Sequence, residues 1–251
     1  MDLGLDGRVA LVSGASRGIG LAIAGALARE GARVVLVART EGPLREAAAA
    51  TGGLAVQADL TTEAGCRHAV QQTEQQLGAV DVLVNNLGGR AGSSWADTDV
   101  VELETAMSTN LYPAIRLSRL VLAGMRERRW GRIVVVSSVF GREAGGAPAY
   151  NAAKAAEISF TTSLARDVAA DGVTVNCVAP GSVLFEGGSW WRRQQDNPDA
   201  IAEFVRRELP LRRFGTPEEV ATVVAFLCSE PAAYVSGACL AVDGAQSRSN
   251  L

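Results

Sequence analysis

The sequence predicts a doubly wound α/β fold, a parallel sheet of about seven strands with helices on both faces. Three observations carry this. Short runs rich in Val, Ile, Leu and Ala alternate with longer stretches of helical periodicity. The short runs are apolar on both faces, as strands covered by helices on each side must be. A glycine-rich turn links the first strand to the first helix.

In order, residues 8–12 read as a strand, 19–29 as a helix, 33–38 as a strand and 43–50 as a helix. Residues 54–57 form a short strand, 64–77 a polar-faced helix and 80–84 a strand. Residues 100–128 hold one or two long helices. Then come a strand at 132–137, a helix at 149–170, a strand at 174–178, a helix at 217–228 and a last strand at 238–242. Residues 182–209 break the alternation; they are rich in Gly, Trp, Arg and Gln and lie where such a chain places an inserted lid. With 251 residues, 48% of them hydrophobic, the chain is read as a single domain, 1–251.

Net charge is −3 and no basic block stands out, which argues against nucleic acid or an anionic membrane as partner. No run of about twenty apolar residues offers a span, and residues 1–4 have no signal-peptide character. Cys66, Cys177, Cys228 and Cys239 are far apart in sequence and form no metal-binding spacing, so no metal is expected and a reducing cytoplasm is the natural setting. His68, the sole histidine, sits in a polar helix and reads as exposed.

Ser13-Gly14-Ala15-Ser16-Arg17-Gly18-Ile19-Gly20 ends the first strand and opens the first helix. Glycines there permit a tight turn and close approach of backbone to a pyrophosphate, and the helix N-terminus offers free N–H groups and a positive dipole end. Gly14, Ser16, Arg17, Gly18, Ile19 and Gly20 are therefore candidate dinucleotide ligands. The spacing is G-x-x-x-G-x-G rather than the commoner G-x-G-x-x-G.

That turn, followed in order by Asp59-Leu60, Asn85-Asn86-Leu87-Gly88, Asn110, Ser138, Tyr150-Asn151-Ala152-Ala153-Lys154, Asn176 to Pro180-Gly181, and Val242-Asp243-Gly244, resembles the short-chain dehydrogenase/reductase family. The resemblance covers nearly the whole chain and implies hydride transfer between NADP(H) and a carbonyl or secondary alcohol. Tyr150 and Lys154 are four apart in a helical pattern and share a face. A phenol ordinarily titrates near 10, so proton exchange near neutrality needs a neighbouring cation that favours the phenolate. The resemblance makes Tyr150 the general acid/base and Lys154 the group that assists it and holds the nicotinamide ribose. It makes Ser138 a donor to the substrate oxygen and Asn110 the support of a water relay. Taken alone, Asn110 reads equally as a helix interruption before Pro113, and Ser137 as a satisfied strand-end hydroxyl.

The second strand ends Ala38-Arg39-Thr40. A carboxylate there would select NAD(H); its lack, with Arg39 and Arg17 able to clamp a 2′-phosphate, favours NADP(H). Solvated guanidiniums are the plainer alternative. By resemblance, Asp59 and Leu60 meet the adenine, Asn86 and Gly88 its ribose, and Pro180, Gly181 and Val183 the carboxamide. Asp59 also suits a cap for the helix that follows. Leu87 and Phe185 depart from the residues usual in the family. Phe185, Trp190, Trp191 and Phe204 in the lid suggest an apolar or cyclic substrate, and Arg192 and Arg193 an anionic group, although simple packing and solvation account for them equally. Glu143, Ala144, Gly145 and Gly146 are expected to form another substrate wall, and Trp95 to close the far side.

The pattern is similar to 3-oxoacyl-carrier-protein reductases, with Arg129 at a docking position but Asp171 where a second base is expected. A NAD-linked alcohol dehydrogenase and a catalytically silent dinucleotide sensor are the other readings; an intact Ser138, Tyr150 and Lys154 set speaks against the sensor. Helix 217–228 and strand 238–242 resemble the elements that pair subunits in homotetramers, so a homotetramer or homodimer is expected. By themselves these elements are apolar enough to be buried.

Overall fold

The computed structural model describes every residue except Met1, Ala91, Ser93, Asp97 and Leu251. Seven strands, β1 (Val9–Ser13), β2 (Arg33–Ala38), β3 (Leu54–Gln57), β4 (Val82–Asn85), β5 (Gly131–Val136), β6 (Val173–Pro180) and β7 (Cys239–Val242), form one parallel sheet in the order β3-β2-β1-β4-β5-β6-β7. Eight helices flank it: α1 (Gly18–Arg29), α2 (Glu41–Thr51), α3 (Glu63–Leu77), α4 (Val100–Arg128), α5 (Pro148–Val168), α6 (Ser189–Asp196), α7 (Pro198–Glu208) and α8 (Pro217–Leu227). This is the doubly wound, Rossmann-like arrangement that the alternation predicts.

Strand side chains alternate between the two faces. In β1, Ala10 and Val12 join α1, α2 and α8 in one apolar cluster, while Leu11 points the other way into a cluster with α3 and α4. All three are fully buried, so β1 carries no polar face, as the sequence pattern requires. Parallel strands need crossovers of a dozen or more residues, and the helices supply them.

Residues 100–128, expected as one or two helices, are one continuous helix, with Pro113 buried inside it. Proline there withholds one N–H from the ladder, yet packing of Leu117, Val121 and Met125 in the apolar layer beneath the sheet keeps the helix unbroken. β6 is longer than expected and runs to Pro180. The irregular-looking segment 182–209 folds into α6 and α7; Asn197 caps α7 by accepting from Ala200 N, and Pro198 sits at its first turn. Ile201, Leu209 and Phe214 with Trp190 and Phe204 make a small apolar cluster separate from the two main ones. β7 is not buried as its apolar sequence suggests; within this chain it is the sheet's edge, and Leu240 is exposed. Trp95, expected to close the substrate side, is 80% exposed. The Ala91 and Ser93 of its loop lie outside the described residues.

No helix among the described residues is long and apolar enough to cross a membrane. The two apolar layers hold the fold, so Leu117→Ala, which empties a fully buried site in α4, should cost about 2–5 kcal/mol. Chemical denaturation at constant m-value checks this; a loss under about 1 kcal/mol would show that the helix layer collapses around the gap.

Candidate active site

Strand order reverses beside β1: the chain builds β2 and β3 on one side, then crosses to β4 on the other. Loops leaving the strands there diverge and open a crevice at their carboxyl ends. It has a volume of about 1310 Å³.

One wall is the β1–α1 turn. Gly14, Ser16, Arg17, Ile19 and Gly20 line the crevice. Arg17 is the N-cap of α1 and its side chain makes no capping hydrogen bond. The first-turn amides thus stay available, at the positive end of the helix, for an anion. A side chain at Gly20 would collide with the Gly14 carbonyl and the Asn86 amide, so the turn closes only with glycine there. Asn86 locks it from across the reversal, its Nδ2 donating to Ser13 O at 3.0 Å and Gly14 O at 3.1 Å. Ser13 Oγ accepts from Asn86 N and Leu87 N, both at 2.9 Å.

The opposite wall comes from β5 and α5. Ser138 N-caps a short 3₁₀ turn, accepting from Phe140 N at 3.2 Å, which leaves its own hydroxyl proton free to donate. Tyr150 and Lys154 both line the crevice, and Lys154 Nζ lies 5.8 Å from the Tyr150 ring centroid. Lys154 is 3% exposed. Its Nζ donates to Val136 O at 3.0 Å and to both oxygens of Glu157, at 3.1 and 3.0 Å. Burial presses the ammonium towards the neutral form, but the Glu157 charge, then Tyr150, outweigh it and hold Lys154 above the usual lysine range. Ser137 Oγ donates to Lys154 O at 2.8 Å.

Of the residues singled out from sequence, Gly14, Ser16, Arg17, Ile19, Gly20, Arg39, Leu60, Asn86, Gly88, Ser138, Tyr150, Lys154, Gly181 and Val183 meet at this one crevice. Four others, Gly18, Asp59, Asn110 and Pro180, do not line it. Gly18 backs onto the Phe185 ring. Asp59 accepts from Thr61 N at 3.1 Å and Thr61 Oγ1 at 2.7 Å, which lowers its pKa; the cap of α3 is Thr62 instead. Pro180 ends β6. Asn110 is buried in α4 and clamps Gly89: its Oδ1 accepts from Gly89 N and its Nδ2 donates to Gly89 O, each at 3.1 Å. A Cβ at Gly88 would sit 2.8 Å from Asn110 Oδ1 and 3.1 Å from Lys154 Nζ, so that loop passes within contact of both side chains because it carries no side chain of its own.

Glu143, Ala144, Gly145 and Gly146, expected as a substrate wall, line the crevice, as do Trp190, Phe204 and Arg193; Trp191 and Arg192 do not. Trp190 also stacks on Phe204 with centroids 4.4 Å apart, so the aromatic residues both pack α6 against α7 and face the crevice. Sequence reasoning missed three participants. Glu157 falls seven residues after Tyr150 on the same helix face, a signal open to inspection. Gln246 and Arg248 line the crevice from the C-terminal tail, pinned where Glu143 accepts from Ser247 Oγ and Arg248 N; nothing local in the sequence marks that long-range contact. Among the described residues no group of three or more His, Cys, Asp or Glu could hold a metal ion.

Asn110→Leu removes both bonds to Gly89, each worth about 1 kcal/mol net. The Gly89 amide should then exchange with solvent about tenfold faster or more in hydrogen-exchange NMR; unchanged exchange means the loop is held elsewhere.

Comparison with known proteins places these features. A family model described as enoyl-(acyl carrier protein) reductase matches residues 14–245. The 3-oxoacyl-[acyl-carrier-protein] reductase FabG of Vibrio cholerae is 39% identical over 249 residues, covering 96% of this chain and 98% of the relative. The 2-(S)-hydroxypropyl-CoM dehydrogenase 3 of Xanthobacter autotrophicus is also 39% identical, covering 96% of each. Among solved structures, L-sorbose reductase from Gluconobacter frateurii complexed with NADPH and L-sorbose superposes with a TM-score of 0.93 at 34% identity, over 99% of this chain and 100% of that one.

Proposed function

This chain belongs to the short-chain dehydrogenase/reductase family and is an oxidoreductase, and from that premise we propose that it transfers a hydride between NADP(H) and a carbonyl or secondary alcohol, with Tyr150 as general acid/base. The observation that carries the reading is the convergence of Tyr150, Lys154, Ser138 and the uncapped α1 N-terminus on one crevice. The residues present fit a dinucleotide: first-turn amides for the pyrophosphate, Leu60 and Gly88 beside the adenosine end, Gly181 and Val183 towards the carboxamide, and Lys154 for the ribose. NADP(H), when bound, supplies the redox equivalent.

The protein's own work is proton transfer and polarisation. Ser138, with its proton free, donates a hydrogen bond to the substrate oxygen and favours the charge that develops there. Tyr150 donates the proton to that oxygen, and takes it back when an alcohol is oxidised. Lys154 keeps a positive charge close to the phenol, and Asn110 holds the neighbouring loop in place.

The end of β2 supports NADP(H) over NAD(H). Arg39 and Arg17 line the crevice there while Ala38 offers no carboxylate, and the L-sorbose reductase neighbour is a complex with NADPH. Trp190, Phe204 and Phe140 on the substrate side favour an apolar or cyclic substrate, under α6 and α7 acting as a lid. A carrier-protein substrate, as the printed name of the Vibrio relative suggests, has less support: Arg129 donates to Ala170 O, and Asp171 pairs with Arg126 at 2.8 Å. The exposed edge of β7 and the exposed Phe226 of α8 support assembly as a homodimer or homotetramer.

Tyr150→Phe should lower kcat by about a hundredfold or more while NADPH affinity stays within about twofold, read by steady-state kinetics and fluorescence titration; retained turnover ends the acid/base assignment. Arg39→Ala should weaken NADPH about tenfold or more and leave NADH unchanged. Equal wild-type affinities for the two would remove the cofactor reading.

A further inference from the structure

The chain has 23 arginines and one lysine, Lys154. That lysine sits at the floor of the crevice, and a second buried charge, Glu157, lies beside it. Glu157 is 1% exposed. Tyr150, Lys154 and Glu157 stand at i, i+4 and i+7 on α5 and so share a face. The Lys154 Nζ lies within hydrogen-bond distance of both oxygens of the Glu157 carboxylate and of Val136 O. No water-exposed surface compensates either charge.

We propose that Glu157 is a positioning residue, the buried counter-ion that keeps Lys154 an ammonium and fixes its Nζ beside the Tyr150 ring. The proposal rests on the reading of Tyr150 and Lys154 as the proton-transfer pair. A lysine this deep loses its proton readily unless an anion faces it. Burial, the largest influence, raises the Glu157 pKa, and the Lys154 charge beside it opposes that rise. The groups facing the pair are Tyr150 on the same helix and, from β6, the buried Cys177, whose Sγ donates to Val178 O at 3.4 Å. Cys177 is held well above the usual thiol range, so it stays neutral and brings no competing charge. Glu157 is thus the one anion available to the ammonium among these neighbours while Tyr150 is protonated.

The sign of the consequence is fixed. Burial alone lowers the lysine's affinity for a proton and the carboxylate raises it. Glu157→Gln keeps the shape and removes the charge, leaving burial unopposed, so Lys154 must then titrate below the ordinary lysine value of about 10.4.

A single lysine makes this directly measurable. In protein labelled with 13C,15N-lysine, without cofactor, one side-chain Cε resonance is expected. In the wild type it should show no titration up to about pH 10.4; in Glu157→Gln it should titrate at least about one pH unit lower. Glu157→Asp, which keeps the charge on a shorter arm, should fall between. With NADPH, the alkaline limb of kcat/KM should move down in Glu157→Gln by the same interval, and Glu157→Asp should partly restore it. A resonance and a pH profile that superpose on the wild type would make Glu157 merely structural and overturn the proposal. If neither variant folds, the wild type decides alone: Lys154 titrating below the ordinary value sinks it. Failure of the functional reading looks different, since Tyr150→Phe would then keep turnover while the lysine titration still responds to Glu157.

Discussion

A parallel sheet whose strand order reverses beside its first strand cannot close its carboxyl edge, because the loops on either side of the reversal leave in opposite directions. Every feature of this site depends on that constraint. The β1–α1 turn lies on one side, the β4, β5 and β6 ends on the other, and short side chains tie the turn to the β4 loop: Asn86 reaches back to Ser13 O and Gly14 O, and Ser13 Oγ accepts from two amides of the β4 loop. These bonds set the width of the crevice before any ligand enters. They also explain why Asn86, expected from sequence to meet a ribose, has its amide protons engaged by the protein itself.

The fold was legible because its information is local and periodic. Strands buried on both faces leave continuous apolar runs, and helices leave a 3.6-residue period, so β1 to β6, α1 to α5 and α8 could be placed within a few residues. Where context outweighs local pattern the reading slipped. Pro113 suggested a break that packing of α4 on the sheet overrides. Residues 182–209 looked irregular because their apolar residues face a small cluster of their own rather than the main core. β7 is apolar, yet it lies at the sheet's edge with Leu240 exposed, which its local pattern does not reveal.

The site was legible to a different degree. Residues in short spaced motifs, the glycine turn and Tyr150 with Lys154, meet as expected. Those whose position depends on contacts across more than a hundred residues, such as the tail around Ser247 held by Glu143, leave no local trace. Asp59 and Gly18 show the opposite hazard. Both carry motif positions, and both serve the loop's own geometry, Asp59 through Thr61 and Gly18 against Phe185.

The charges of the crevice divide by chemistry. Arg17, Arg39, Arg90, Arg193 and Arg248 line it, and guanidinium stays charged at any working pH. Such groups suit fixed recognition of anions but add little to proton transfer, because their charge does not respond to it. An ammonium can respond, and so it is also the cation most easily lost on burial. A chain that recruits arginine at every other basic position and keeps its one lysine beside a phenol has separated the two tasks. Placing that lysine out of water then creates a need that arginine would not have to the same degree, and the carboxylate of Glu157, on the same helix face one turn further on, is where the fold meets it.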